Sequence, residues 1–245
     1  ADRSALAVLK NLTDKLGVTR WEVPANFPLA LADALRENGV EIRALPDPFF
    51  PKRQIKTAAE LRKIAEAEAV TEDSMRYARD LLRSAQVNSK GVLTRNGKTF
   101  PCDMLRAEIE GFLKQRGCTA EQTITACGED ASQPHNLGSG PLLAGKPIVI
   151  DIFPRSDRSG YWGDMTRTFC KGKALPVVRK AFKSVLKASE IAQKMIRAGV
   201  CAADVHRAAA ESMALSDNEP ERNGADQVCG QRGGDECNAV NHVSP

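Results

Sequence analysis

The sequence lacks any long hydrophobic run, any C-x-x-C pair and any concentration of basic residues. The longest apolar stretches have the length of a β-strand, so we expect no membrane-spanning segment and no membrane partner. The 35 basic residues are interspersed with 31 acidic ones, an arrangement that argues against a nucleic-acid-binding stripe. The segment Ala1–Ser4 has neither the basic nor the apolar part of a secretory signal peptide.

Seven cysteines are scattered along the 245 residues, and their number is odd. In a chain of this length without a signal peptide, such a distribution is typical of reduced, structural thiols. We therefore expect a cytoplasmic protein. The 42% hydrophobic and 27% charged residues are ordinary for a globular protein with a sizeable core, and the length suits one large domain or two modest ones.

Residues 1–50 alternate helical and strand-like patterns, which indicates an α/β unit. One helical pattern ends at Gly17 and a second ends at Gly39, and residues 40–42 then have the composition of a short strand. Three prolines within residues 46–51 interrupt the alternation and predict a linker.

The segment after this linker has the clearest helix signal in the chain. Thr57 to Glu60 fits a capping box, in which the threonine hydroxyl and the glutamate carboxylate satisfy backbone donors of the first turn. One face then stays apolar for about seven turns, and a helix this long is expected to lie across a sheet. The residues of that face are Leu61, Ile64, Ala67, Thr71, Met75, Ala78 and Leu82.

The middle of the chain predicts a second helix after Pro101 and a strand over residues 123–127. A loop rich in Gly, Ser and Pro follows over residues 128–141. It contains His135, the one histidine in the central part of the sequence.

Two strand-like stretches come next, and each contains one carboxylate. Residues 147–153 contain Asp151 and residues 160–169 contain Asp164. Because a polar, turn-like segment separates them, they predict an antiparallel hairpin. Two carboxylates close together on a sheet repel, and a divalent cation would remove that conflict. The pattern alone is equally compatible with two solvated residues at an exposed edge. Lys171 and Lys173, after the second strand, are expected to be solvated.

The remainder of the chain predicts helices over residues 176–199 and 202–215. The last 30 residues, from Ser216, contain no Leu, Ile, Met, Phe, Tyr or Trp, so we expect a disordered tail. Its Cys229, Cys237 and His242 are not expected to form a metal cluster, because their spacing matches no known frame.

The two carboxylates lie in a recognisable context. Ile150-Asp151 followed by Gly163-Asp164-Met165-Thr166-Arg167-Thr168-Phe169 resembles the metal-binding hairpin of the M24 metallopeptidases, and most closely that of Xaa-Pro aminopeptidases and prolidases. Ile55 to Leu61 resembles the opening helix of the catalytic domain in that family. Pro134-His135-Asn136 stands where the family has a histidine before the hairpin.

This resemblance implies an α/β (α+β) fold with three parts. Residues 1–50 would be the remnant of a creatinase-type N-terminal domain. Residues 51–215 would form an incomplete pita-bread catalytic domain, and residues 216–245 an atypical tail. The implied activity is hydrolysis of the bond before proline by a metal-activated water, on peptides with proline at the second position.

The resemblance also implies roles for particular residues. Asp151 and Asp164 would be two of five ligands, comprising two Asp, one His and two Glu, that hold two divalent ions such as Mn, Co or Zn. His135 would be catalytic, stabilising the tetrahedral intermediate or positioning the substrate. Thr166 is expected to be a hydrogen-bond partner of Asp164. The family resemblance also allows a homodimer.

The sequence departs from the family pattern in its spacing and in its ligand set. The interval between Asp151 and Asp164 is two residues longer than the commonest one, and a longer tip, Arg155 to Ser159, is expected to absorb the difference. The other His and the two Glu have no counterpart, because His206 comes too early and lies on a helix. The remaining candidates, Glu219, Glu221, Glu236 and His242, fall in the tail.

We therefore expect a family member truncated on its C-terminal side, with a shifted reading frame or misjoined exon as one explanation of the tail. Two carboxylates alone hold a divalent ion weakly, so the alternative function is a catalytically inactive pita-bread module that acts as a binding protein. A creatinase-like hydrolysis without metal is less favoured, because that branch does not keep the Asp pair.

Overall fold

The computed structural model describes residues 4–217 and 237–240, and the chain divides into two compact units after Leu61. The elements of the first unit are α1 (Ala5–Leu16), β1 (Arg20–Pro24), α2 (Leu29–Glu37), β2 (Glu41–Leu45) and a 3₁₀ turn (Pro51–Gln54). Strands β1 and β2 pair in parallel, and α2 is the crossover between them. This arrangement confirms the α/β alternation predicted for the beginning of the chain.

The second unit begins inside the long helix α3 (Ala58–Ser84). Its further elements are β3 (Gln86–Val87), β4 (Leu93–Arg95), β5 (Lys98–Thr99), α4 (Cys102–Gln115), β6 (Cys118–Thr119), β7 (Ile124–Cys127), a 3₁₀ turn (Asp130–Ser132), β8 (Ile148–Ile152), β9 (Arg155–Ser156), β10 (Met165–Lys171), α5 (Pro176–Met195), α6 (Ala202–Asp217) and β11 (Cys237–Val240). Its main sheet has the strand order β11-β10-β8-β7.

Helix α3 begins with the predicted capping box. The Thr57 amide donates to Glu60 Oε2 at 2.8 Å, and the Glu60 amide donates to Thr57 Oγ1 at 3.3 Å. The buried residues of α3 recur at helical spacing, as predicted, although Leu61 is exposed. They are Ala67, Thr71, Ser74, Met75, Ala78, Leu81 and Leu82.

The core of the second unit lies between helices α3 and α4 on one side and one face of the main sheet on the other. Along β8 the side chains of Ile148, Ile150 and Ile152 are fully buried, whereas those between them are only partly buried. This alternation is typical of a strand with one face on the core. The isoleucines join one apolar cluster with Met75, Ala78, Leu81 and Leu82 of α3 and with Leu105, Ile109 and Leu113 of α4. The prediction that α3 lies across a sheet is confirmed.

Strands β8 and β10 form the predicted antiparallel hairpin, with Asp151 opposite Thr166. The chain between them leaves the sheet, and its strand β9 pairs with β6. Just beyond β9, Asp157 accepts hydrogen bonds from Thr119 Oγ1 at 2.7 Å and from Lys114 Nζ at 3.1 Å. The extra length of the tip is thus held against the α4–β6 segment while β8 and β10 keep their register.

The prediction of a solvated strand end is wrong for Lys171, although Lys173 is exposed. Lys171 is only 6% exposed, and its Nζ donates to the carbonyl oxygen of Arg83 at 2.7 Å. Arg83 lies in the last turn of α3, where carbonyl oxygens have no partner within the helix and a cation is favourable. The lysine is buried because it caps this helix end.

The predicted tail lies mostly outside the described residues, and so do Glu219, Glu221, Cys229, Glu236 and His242. Where the tail is described, residues 237–240 form β11, which pairs antiparallel with the outer edge of β10. The expectation of a tail without regular structure does not hold for these four residues, because the backbone groups at the edge of β10 offer them partners. None of the helices within the described residues combines the length and hydropathy that a membrane span requires.

Candidate metal centre

The two predicted carboxylates project from the same face of the main sheet. Asp151 lies on β8 between the buried Ile150 and Ile152, so its side chain points away from the core. Asp164 comes directly before β10 and has the same parity as Thr166, which lies opposite Asp151. The sheet therefore brings Asp151 and Asp164 together on the side opposite α3.

Thr166 fixes Asp151, and not Asp164 as predicted. Its Oγ1 donates a hydrogen bond of 2.6 Å to Asp151 Oδ1. The reason is the strand register, because residues opposite each other on neighbouring strands lie about 4.5–5.5 Å apart, whereas residues two apart on one strand are separated by about 7 Å. The hydroxyl orients one carboxylate oxygen and leaves the other Asp151 oxygen open to a further partner.

The carboxyl group of Asp164 is electrostatically unfavourable in its charged form. Partial removal of water around it, together with the negative charge of Asp151, raises the pKa of Asp164 above its ordinary value. A cation between the two carboxylates would offset both effects, and carboxylate oxygens are ligands that hard divalent cations prefer. The chemistry of the pair suits a divalent cation.

Helix α3 contacts the backbone of Gly163 and Asp164 on the core side of the sheet. Gly163 has the parity of the core-facing residues, and a Cβ atom there would clash with Thr71 Oγ1 and lie only 2.8 Å from Glu68 Oε2. The amide of Asp164 donates to the same Glu68 oxygen at 2.9 Å. Sequence reasoning missed Glu68 and Thr71 as parts of the site. The buried Ala67 and Thr71 mark the helix face that meets this strand, but nothing in the pattern indicates which strand it meets.

Arg167 of β10 lies within the electrostatic influence of α3. Its Nη1 donates to the carbonyl oxygen of Thr166 at 2.7 Å. Burial lowers the pKa of Arg167, and the negative charges of Glu72 and Glu68 on α3 act in the opposite direction. The guanidinium therefore lies in the field of two glutamates while it holds the backbone of the residue that orients Asp151.

His135 is exposed, in a loop that is held firmly against β7. The residue itself has a φ of 65°, and three residues further on Gly138 has a φ of 80°. A Cβ atom at Gly138 would lie 2.6 Å from the Ala126 Cα, so only glycine fits there. Arg106 of α4 secures the same segment, because it donates to the carbonyl oxygens of Leu137 and Gly138.

Of the predicted ligand set, the described residues bring together only the two aspartates, whose metal-binding role stays a prediction. Over residues 4–217 and 237–240, no group of three or more His, Cys, Asp or Glu side chains is arranged to hold a metal ion. His135 is therefore not brought into a three-residue cluster with Asp151 and Asp164. The two carboxylates fit a divalent cation. The catalytic role of His135 stays a prediction.

Comparison with known proteins identifies the family of this chain. The profile described as Metallopeptidase family M24 matches residues 62–232, more than half of the chain. This protein belongs to metallopeptidase family M24. The matched region contains Asp151, Asp164 and all of α3 except its first four residues.

Solved M24-type structures share its fold. The X-Pro aminopeptidase from Thermotoga maritima MSB8 superposes with a TM-score of 0.70 at 21% identity, over 87% of this chain and 58% of that one. The Xaa-Pro dipeptidase from Bacillus anthracis gives a TM-score of 0.72 at 17% identity, over 88% of this chain and 57% of that one. The predicted α/β pita-bread fold class is confirmed.

A curated relative matches a shorter region. The Bacillus subtilis (strain 168) protein named "Putative dipeptidase YkvY" is 32% identical over 102 residues, which cover 40% of this chain and 28% of that protein. The chain also spans less than three fifths of the two solved M24 structures. Its similarity to these proteins is therefore to a part of each.

Proposed function

We propose that Asp151 and Asp164 bind a divalent cation as part of an M24 peptidase site that acts on peptides with proline at the second position. The observation that carries this proposal is the pairing of the two carboxylates on one sheet face, with Thr166 donating to Asp151 at 2.6 Å. Family membership gives the pair its chemical context. The names of the solved relatives, an X-Pro aminopeptidase and an Xaa-Pro dipeptidase, support the substrate class.

The residues of this chain would divide the work as follows. Asp151, oriented by Thr166, and Asp164, held through its backbone amide, would supply carboxylate oxygens to Mn, Co or Zn. The bound cation would supply Lewis acidity and a more acidic water. His135, on its anchored loop, would donate a hydrogen bond to the oxyanion or position the substrate.

The five free thiols among the described residues support a reducing, cytoplasmic location as part of this proposal. They are Cys102, Cys118, Cys127, Cys170 and Cys201. Disulfides are rare in that compartment, and burial raises the pKa of the Cys102 thiol to about 11, which keeps it protonated and unreactive.

A second candidate function is a catalytically inactive binding module. It is favoured by the lack of a group of three His, Cys, Asp or Glu ligands in the part of the chain that the structure describes. Two carboxylates alone bind a divalent ion weakly, since tight sites need more ligands. For this chain alone we accordingly expect negligible turnover.

A peptide-binding experiment separates a cation-dependent, proline-selective site of the M24 type from a module that binds peptides in another way. The tripeptide Ala-Pro-Ala is titrated into the full chain by calorimetry with and without Mn²⁺, and Ala-Ala-Ala is the matched control peptide. We expect Mn²⁺-dependent binding of the proline peptide that is lost in the Asp151→Asn/Asp164→Asn double variant, with little hydrolysis. Peptide binding that is the same with and without Mn²⁺, and the same for both peptides, would favour the inactive module.

A further inference from the structure

Glu68 is a partly buried residue of α3 whose carboxylate contacts the hairpin. Its Oε2 accepts a hydrogen bond from the Asp164 amide at 2.9 Å, across 96 residues of sequence. The Glu68 side chain is partly buried, although neighbouring glutamates of α3 such as Glu66 and Glu72 are exposed. A carboxylate that accepts from a backbone N–H forms a charge-assisted hydrogen bond, which is stronger than a neutral one.

The same carboxylate lies against Gly163. A Cβ atom at that position would lie 2.8 Å from Glu68 Oε2 and 2.9 Å from the Ala67 carbonyl oxygen. The backbone of residues 163–164 therefore reaches α3 only because the glycine has no side chain. This close approach places the Asp164 amide within hydrogen-bond distance of Glu68.

A second connection runs from Glu68 toward the other carboxylate. Its charge acts on Arg167, whose Nη1 donates to the Thr166 carbonyl oxygen at 2.7 Å. Thr166 in turn donates through its hydroxyl to Asp151. Glu68 thus contacts the backbone of Asp164 directly, and this contact does not depend on the charge that Glu68 exerts on Arg167.

We propose that Glu68 is a positioning residue that sets the location of Asp164 relative to Asp151 for cation binding. The inference rests on the proposed metal-binding role of the two aspartates. The inference further states that Glu68 acts through its side-chain oxygen, which accepts the hydrogen bond from the Asp164 amide. Partners that orient metal ligands typically change metal affinity by about 10- to 100-fold when they are removed.

The test compares Glu68→Gln, which keeps an acceptor oxygen, with Glu68→Met, which keeps the length of the side chain without an acceptor. Glu66→Met is the matched control, because Glu66 lies on the same helix and pairs with Arg158 at 3.3 Å on the surface. Two readouts are needed: the proton chemical shift of the Asp164 amide without metal, and the Mn²⁺ dissociation constant from calorimetry of the full chain. Thermal unfolding of each variant checks that it is folded.

We expect Glu66→Met to keep the Asp164 amide shift, and Glu68→Gln, whose neutral acceptor makes a weaker hydrogen bond, to move it only slightly upfield. Both variants should bind Mn²⁺ within about threefold of the unsubstituted protein. We expect Glu68→Met to move the amide proton upfield and to weaken Mn²⁺ binding by about tenfold. An unchanged amide shift and unchanged affinity in Glu68→Met, or equal weakening in Glu68→Gln, would overturn the inference. Mn²⁺ binding that survives in Asp151→Asn/Asp164→Asn would instead overturn the proposed function, while the metal-free amide shift would still test the role of Glu68.

Discussion

The Thr166 hydroxyl donates a hydrogen bond of 2.6 Å to Asp151 Oδ1 across the β8–β10 pair. The two residues are directly opposite each other in the antiparallel register. The hydroxyl therefore limits the rotation of the carboxylate about its side-chain bonds. A ligand that is already oriented loses less conformational entropy when it binds a cation.

Replacing Thr166 with valine should release this carboxylate. The side chain keeps nearly the same shape, but the donor to Asp151 is lost. We expect the free energy of unfolding to fall by about 1–2 kcal/mol and Mn²⁺ affinity to decrease. Urea denaturation and calorimetry measure the two effects. The control is Thr168→Val, since Thr168 lies on the same strand face opposite Val149 and not opposite a carboxylate. Equal effects of the two substitutions would contradict the assigned role of Thr166.

Gly163→Ala should be strongly destabilising. The added Cβ would clash with Thr71 Oγ1 and crowd Glu68 Oε2, so α3 or the strand must shift. Overpacking of this kind costs about 1–3 kcal/mol, measurable as a lower urea midpoint.

Gly111→Ala should change the stability of the protein in the opposite direction. Gly111 lies inside α4, and a Cβ there would meet nothing within 4 Å. We expect stabilisation by about 0.5–1 kcal/mol, because alanine is the better helix residue. If both glycine variants changed stability in the same direction, the close approach at Gly163 would not be the cause.

The Glu108 carboxylate should contribute a pH-dependent part of the stability. Hydrogen bonds from Tyr77 and then from Arg95 lower the pKa of Glu108 below its ordinary value of 4.5. A lowered pKa in the folded state stabilises the protein above pH 4.5, and this stabilisation is lost as the pH falls through the folded-state pKa. In Glu108→Gln we expect stability at pH 7 to be lower by about 1 kcal/mol and the decline below pH 4.5 to be shallower.

Urea denaturation from pH 7 to pH 3 measures this dependence. Glu110→Gln, two residues further along the same helix, controls for the loss of one negative charge. If the free energy of unfolding of Glu108→Gln fell below pH 4.5 as steeply as that of the unsubstituted protein, this contribution would be ruled out. The same hydrogen bond to Glu108, together with burial, raises the pKa of Tyr77, so the pair also favours the folded state until the tyrosine ionises at high pH.

Arg106→Met should loosen the loop that contains His135. Arg106 Nε donates to the Thr123 carbonyl oxygen at 2.8 Å, and its Nη2 donates to that of Gly138 at 2.9 Å. Loss of these charge-assisted bonds should cost about 2 kcal/mol. We also expect faster hydrogen exchange at the Thr125 amide, which donates to the Leu137 carbonyl oxygen at 3.1 Å. Arg76→Met, at an exposed site on α3, is the control, and equally fast exchange there would contradict the anchoring role of Arg106.

Local patterns in the sequence were sufficient for the features that depend on neighbouring residues. The capping box of Thr57 and Glu60 involves positions three residues apart, and the hairpin follows from two strand-like stretches around a polar turn. Strand alternation also predicts that Asp164 and Thr166 lie on one face of their own strand. These parts of the fold and of the candidate site could be predicted.

Contacts between distant segments could not be predicted in the same way. Glu68 meets the Asp164 amide only because α3 packs across β10, and Lys171 is buried only because its amine reaches the end of α3. The partner of Thr166 depended on the strand register, which the long connection between β8 and β10, residues 153–164, does not specify. Each of these residues has its role from tertiary packing that no short sequence pattern encodes.

The most direct measurement is a calorimetric titration of Mn²⁺ into the purified, metal-free full chain and into its Asp151→Asn/Asp164→Asn variant. The account predicts at most one weakly bound ion per chain, lost in the double variant, because two carboxylates are the acidic ligands that the hairpin brings together. Two tightly bound ions per chain, or one that the double variant retains, would contradict it.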